Sequence, residues 1–161
     1  MSIQLDKVQP KNKIQLEQLI GYAFKHNIYD LNFIDTNKIT DMSNLFINCE
    51  YDIDVSNWDM SNVKNMSYMF YKCYKFTGKG IGNWNVSNVK DIGGMFAGCE
   101  KFNCDLSNWD VSNVTNMAGM FYFCKNFDYD LSRWNVSNVT CMEYMFSGCK
   151  KLTIPNWYDK L

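Results

Sequence analysis

The sequence has a single histidine, His26, in 161 residues. A Ser-His-Asp or Cys-His arrangement would have to be built around that residue, in an N-terminal segment away from most of the cysteines. No CxxC pair accompanies it, which removes the usual zinc spacing. Gly78, Gly80 and Gly82 lie in an enlarged spacer without the strand-to-helix setting of a phosphate-binding loop. Charge of one sign is also lacking: 16 Lys and Arg against 17 Asp and Glu leave a net charge of −1. That balance gives no general attraction to nucleic acid or to an anionic membrane. No run reaches the roughly 18 apolar residues of a membrane span. Met1 to Pro10 is too polar for a signal peptide, and no lipid-attachment cysteine stands near the start. The expectation is a soluble protein that is not an enzyme, holds no metal or cofactor, and does not insert into membranes.

What the chain does have is repetition. Tryptophans fall at Trp58, Trp84, Trp109 and Trp134, about 25 residues apart, and a shortened copy ends at Trp157. The frame is clearest from Leu106 to Val114, followed by Met117, Met120, Phe121, Cys124 and Phe127. The phenylalanine column, Phe46, Phe70, Phe96, Phe121 and Phe146, has no exception. Neither has the cysteine column, Cys49, Cys73, Cys99, Cys124 and Cys149. Length varies only after the cysteine, so insertions are confined to one loop per repeat. A fixed period in this range, with regular apolar positions, predicts a leucine-rich-repeat-like solenoid.

Local spacing predicts what each coil contains. Met66, Met69, Phe70 and Cys73 stand at i, i+3, i+4 and i+7, the pattern of one helix face. The stretch after the cysteine, such as Phe102 to Trp109, reads as a short strand. The expected fold is an α/β solenoid of about five to six coils, each with a short strand and a short helix. Ile14, Leu19, Ile20, Ala23 and Phe24 mark an amphipathic helix at about 13–25, with Asn27 as a left-handed stop. Residues 1–30 are thus the N-terminal cap and 31–161 the repeats, together one domain and, as read here, a complete capped array. Pro155 suits an edge strand at the other end.

Seven cysteines is an odd count. Cys73, Cys99, Cys124 and Cys149 fall on the inward face and read as buried, reduced thiols. Coils about 5 Å apart would nevertheless permit disulfides along the column. Cys104 and Cys141 lie outside it. The core ladder is completed by Trp58, Trp84, Trp109 and Trp134 with Phe70, Phe96, Phe121 and Phe146.

The frame from Trp109 to Met117, with Met120, Phe121 and Cys124, resembles the BspA-like leucine-rich-repeat proteins. The match is to their 25-residue Trp-Asp-Val-Ser-Asn-Val-Thr-Asn-Met repeat class, and the same frame recurs at Trp58, Trp84 and Trp134. The resemblance implies no catalytic residues. It implies protein–protein interaction, in adhesion or surface recognition, and a surface or secreted location. With no signal peptide or anchor visible, a cytoplasmic location and an intracellular scaffold role stay open. The partner would be a protein.

Two surfaces are candidates for recognition. Tyr68, Tyr71, Tyr122, Phe123 and Tyr144 lie outside the repeated core positions, and exposed aromatics are the usual anchors of interfaces. Asp30, Asp54, Asp105 and Asp130 form an acidic stripe that could meet a basic partner. The alternative for the stripe is that its carboxylates bond their own turns.

Overall fold

The computed structural model describes residues 6–158. Helix α1, Lys13–Lys25, begins where the Asn12 side chain accepts the Gln15 N–H. Its inward face is Leu16, Ile20 and Ala23, whereas Ile14 is exposed. It ends where Asn27 turns left-handed at φ 57°. There the Ile28 N–H reaches the Ala23 carbonyl and the Asn27 N–H reaches that of Phe24. This six-to-one, five-to-two pair of bonds satisfies carbonyls that the helix leaves open. Among the described residues the remaining named element is a 3-10 turn, Ile81–Asn83.

The expected α/β solenoid is not what forms. Among the described residues there is no strand, and no repeat carries an α-helix. Each coil is a chain of hydrogen-bonded turns. In the coil around Trp109, N–H to carbonyl bonds join Trp109 to Leu106, Val114 to Val111 and Met120 to Met117. They continue from Cys124 to Phe121 and from Phe127 to Cys124. The apolar columns are therefore the first and last residues of successive turns. A four-residue turn has the same three-and-four spacing as a helix face, which is why the pattern misleads.

The backbone shows why a helix loses. The N–H groups of Tyr68, Phe70 and Lys72 are given to Gly93, Met95 and Ala97 of the next coil, at 2.7–2.9 Å. The alternating residues Met69, Tyr71 and Cys73 bond back three positions within their own coil. Tyr68 and Lys72 take φ of 55° and 57°, the left-handed third position of a type II turn. The same two columns hold Asn44 and Asn48, Gly94 and Gly98, Gly119 and Phe123, Tyr144 and Gly148, all at positive φ. The stretch from Phe102 to Trp109, expected as a strand, is irregular chain closed by the turn from Leu106 to Trp109. Between coils the backbone bonds give only isolated parallel bridges, such as Asn65 to Asp91 and Asp91 to Asn116, rather than a sheet.

Side chains tie the stack together. The Trp58, Trp84, Trp109 and Trp134 indoles donate to carbonyls of the preceding coil at 3.0–3.2 Å. The phenylalanine column stacks ring on ring, Phe70 to Phe96 at 5.8 Å and Phe96 to Phe121 and Phe121 to Phe146 at 5.9 Å. The cysteine thiols are donors too: Cys73 to Phe46, Cys99 to Phe70, Cys124 to Phe96 and Cys149 to Phe121, at 2.8–3.0 Å. Burial lifts the Cys99 and Cys124 thiols well above the ordinary range and Cys149 to about 11.

All seven cysteines are free. Because the thiolate is the reactive form, buried and hydrogen-bonded thiols are slow nucleophiles. Native alkylation should mark Cys104 and Cys141 first and leave Cys73, Cys99 and Cys124 untouched until the protein unfolds. Peptide mass spectrometry reads the order. Linked Cys73–Cys99 or Cys124–Cys149 peptides from native material would contradict it.

Candidate binding surface

The turn geometry decides which side chains leave the core. In a type II turn the two central residues point outward, so residues 67–68 and 71–72 and their counterparts make one face of the stack. On that face Tyr68, Tyr122 and Tyr144 are 47%, 41% and 72% exposed, and Tyr71 is half-buried. Tyr68 and Tyr71 meet edge to face at 5.7 Å.

The next coil carries Gly94 and Ala97 in the columns of Tyr68 and Tyr71. A Cβ on Gly94 would collide with the Tyr68 ring, so the ring lies across that glycine. The coil after it supplies Ala118, Gly119 and Tyr122, and the last adds Glu143 and Tyr144. Together these line a shallow, open groove of about 660 Å³. Its walls are four tyrosines from three coils, and its floor is glycine and alanine.

Of the aromatic candidates, then, Tyr68, Tyr71, Tyr122 and Tyr144 converge. Phe123 stands just outside, against Tyr122 at 4.6 Å, with its ring over Gly148. Sequence reasoning missed Gly94, Ala97, Ala118, Gly119 and Glu143. The available signal was the loss of side-chain bulk in columns that carry tyrosine one coil away. Glu143 accepts a hydrogen bond from the Cys141 thiol at 2.8 Å. That bond holds the Glu143 carboxyl below its ordinary range and raises the Cys141 thiol.

The acidic stripe has a local occupation. Asp30, Asp54, Asp105 and Asp130 accept the N–H groups of Asn32, Ser56, Ser107 and Ser132, each two residues on, at 2.8–3.0 Å. The Ser56 hydroxyl and the Asn32 amide also bond Asp54. Hydrogen bonds from Ser107 and Ser132 hold Asp105 and Asp130 below the ordinary carboxyl range. At Asp54, burial pushes the other way and is outweighed by the bonds from Ser56 and Asn32. These are Asx turns. Among the described residues, no group of three or more His, Cys, Asp or Glu is placed to hold a metal ion, and no helix is long and apolar enough to cross a membrane.

Tyr144 is the costliest of the groove residues to the fold. It sits at φ 57° in a column where the first coil has Asn44 and two others have glycine. A bulky residue there costs about 1–3 kcal/mol, which persists only where the surroundings or a function impose it. With most of its ring in solvent, Tyr144 returns little packing. Replacement by asparagine, which tolerates this backbone, should stabilise the protein by about 1 kcal/mol. Equilibrium denaturation measures it; a loss of stability would mean that the ring packs in solution.

A family model described as "Mycoplasma protein of unknown function, DUF285" matches residues 14–79 and again 69–158. No curated protein and no solved structure matches the chain.

Proposed function

The chain belongs to the DUF285 family, and on that footing we propose that it is a non-enzymatic protein-binding module that recognises its partner through the tyrosine groove. The observation that carries this reading is the gathering of Tyr68, Tyr71, Tyr122 and Tyr144 around a glycine and alanine floor. None of the four belongs to the repeat frame, and Tyr68 and Tyr144 occupy backbone that favours glycine or asparagine. Large, rigid aromatics bury much area at low entropic cost, whereas exposed charge pairs add little affinity. The aspartates of the stripe are already engaged in their own turns, which favours the aromatic face over the acidic one.

The Trp-Asp-Val-Ser-Asn-Val-Thr-Asn-Met frame supports placing the chain with the BspA-like repeat proteins, and with it adhesion or surface recognition as the setting. Detection of an accessible epitope tag on intact cells tests the setting, and a purely cytosolic pool would favour the scaffold role instead.

The groove itself is tested with a random peptide library sorted for binding to the folded protein. Selected ligands should bind a Tyr68/Tyr122/Tyr144→Ser variant at least tenfold more weakly, an effect of about 1.4 kcal/mol or more. An Asp54/Asp105/Asp130→Asn variant should change mainly the salt dependence. Ligands that ignore the tyrosine variant and fail on the aspartate variant would move recognition to the acidic stripe.

A further inference from the structure

We propose that the occupant of the groove is a proline-rich segment in the extended left-handed polyproline conformation, with a lysine or arginine beside it. This rests on the groove being the binding site and says what class of ligand it takes.

The spacing of the walls is the first reason. Tyr71 and Tyr122 occupy the same column two coils apart, with Ala97 between them. Along this face neighbouring coils are joined by backbone hydrogen bonds of 2.7–3.0 Å. Chains paired in this way lie about 4.8 Å apart, so two coils span about 9.6 Å. Three residues of a polyproline helix rise about 9.3 Å. Prolines three positions apart share one face of that helix and can therefore meet the Tyr71 and Tyr122 rings in turn, spanning the gap over Ala97.

The second reason is which polar groups remain free. The Gly94 and Gly119 N–H groups are spent on Ala118 and Glu143 of the following coils, both at 2.8 Å, and the Ala97 N–H on Gly94. The floor therefore cannot take an added β-strand, which needs free backbone donors. The phenol hydroxyls of the four tyrosines make no hydrogen bond among the described residues. Polyproline backbone has no internal hydrogen bonds, so its carbonyls are open to hydroxyl donors, and its stiffness lowers the entropy lost on docking.

Charge supplies the third reason. Glu143 is the one ionisable acid in the lining, at the end of the groove beside Tyr144. It complements a basic residue flanking the prolines. A sugar chain fits less well: beyond the four phenol hydroxyls the lining offers one carboxylate, Glu143, and no amide side chain to fix the orientation of its many hydroxyls. The 2 prolines of the chain, Pro10 and Pro155, stand alone, so these 161 residues do not themselves contain the proposed ligand segment.

The test uses the full chain and fluorescence anisotropy with three labelled probes. They are a Pro-x-x-Pro peptide ending in arginine, the same peptide with every proline changed to alanine, and a cello-oligosaccharide. The proline peptide should bind at least tenfold more tightly than the alanine peptide. Tyr71→Ser and Tyr122→Ser should each weaken it severalfold, and Ala118→Trp, which blocks the groove from its half-exposed edge, should abolish it. Glu143→Gln should weaken it about two- to fivefold, the range of an exposed ion pair, and flatten its salt dependence. Circular dichroism checks that each variant is folded, and Glu143→Gln, fully on the surface, keeps the test open should a tyrosine variant not fold. Equal binding of the proline and alanine peptides, binding indifferent to Ala118→Trp, or tyrosine-dependent binding of the oligosaccharide would each overturn the proposal. If library ligands without proline bind the groove while the proline peptide does not, the binding-module reading stands and only the ligand class falls.

Discussion

Trp109→Ala is expected to cost about 3–5 kcal/mol, the range for emptying a buried aromatic site. Trp109 lies in the middle of the stack, 3% exposed, 6.4 Å from Trp84 and 6.3 Å from Phe96. Its indole donates to the Ile81 carbonyl at 3.0 Å. That carbonyl keeps a second partner, the Trp84 N–H at 3.0 Å, so the loss is mainly of the ring and the cavity it leaves. A domain of this size holds only about 5–15 kcal/mol in reserve. Each coil touches only its neighbours, so a gap in the centre severs the stack and the array should melt as one unit at lower denaturant. Trp109→Phe, which refills most of the volume, should recover more than half of the loss. Unchanged melting of the alanine variant would mean that the tryptophan ladder does not hold the coils together.

The second large effect is expected at Gly82, and it comes from backbone rather than side chain. A Cβ on Gly82 would run into the Asp105 carbonyl of the next coil. Nothing flexible stands there to give way, so the two coils must separate locally. Gly82→Val should cost about 3 kcal/mol, the upper end for forced overpacking. Gly21 is the internal contrast. It is exposed on α1, and a Cβ there meets nothing within 4 Å. Gly21→Ala should stabilise by about 0.5–1 kcal/mol, because alanine loses less backbone freedom in a helix. Urea titrations of both variants measure the two shifts; a harmless Gly82→Val would show that the enlarged spacer around Ile81 does not press against its neighbour.

These two sites separate what local signals carry from what the stack imposes. Helix α1 has its own start in Asn12 and its own stop in Asn27, and it needs neighbours only to cover Leu16, Ile20 and Ala23. The segment from Met66 to Cys73 has the same apolar spacing as a helix but no such independence. Its alternate N–H groups find their partners in the next coil rather than in their own. Glycine or asparagine recurring at two positions four residues apart, as at Gly94 and Gly98 or Asn44 and Asn48, was the sequence trace of that outcome. Tyr68, Lys72, Phe123 and Tyr144 in the same columns hid it.

The period, the columns and the inward-facing positions are legible in the spacing of residues, because burial depends on that spacing and both a helix and a run of turns keep it. The choice between helix and turns is made by the stacked coils, since it lies in whether an N–H bonds within its coil or across to the next. The groove followed from that choice. Left-handed turns push Tyr68 and Tyr144 outward, and Gly94 and Ala97 leave the gap between Tyr71 and Tyr122. Tyr71, Ala97 and Tyr122 are about 25 positions apart in the chain and become neighbours only when the coils stack.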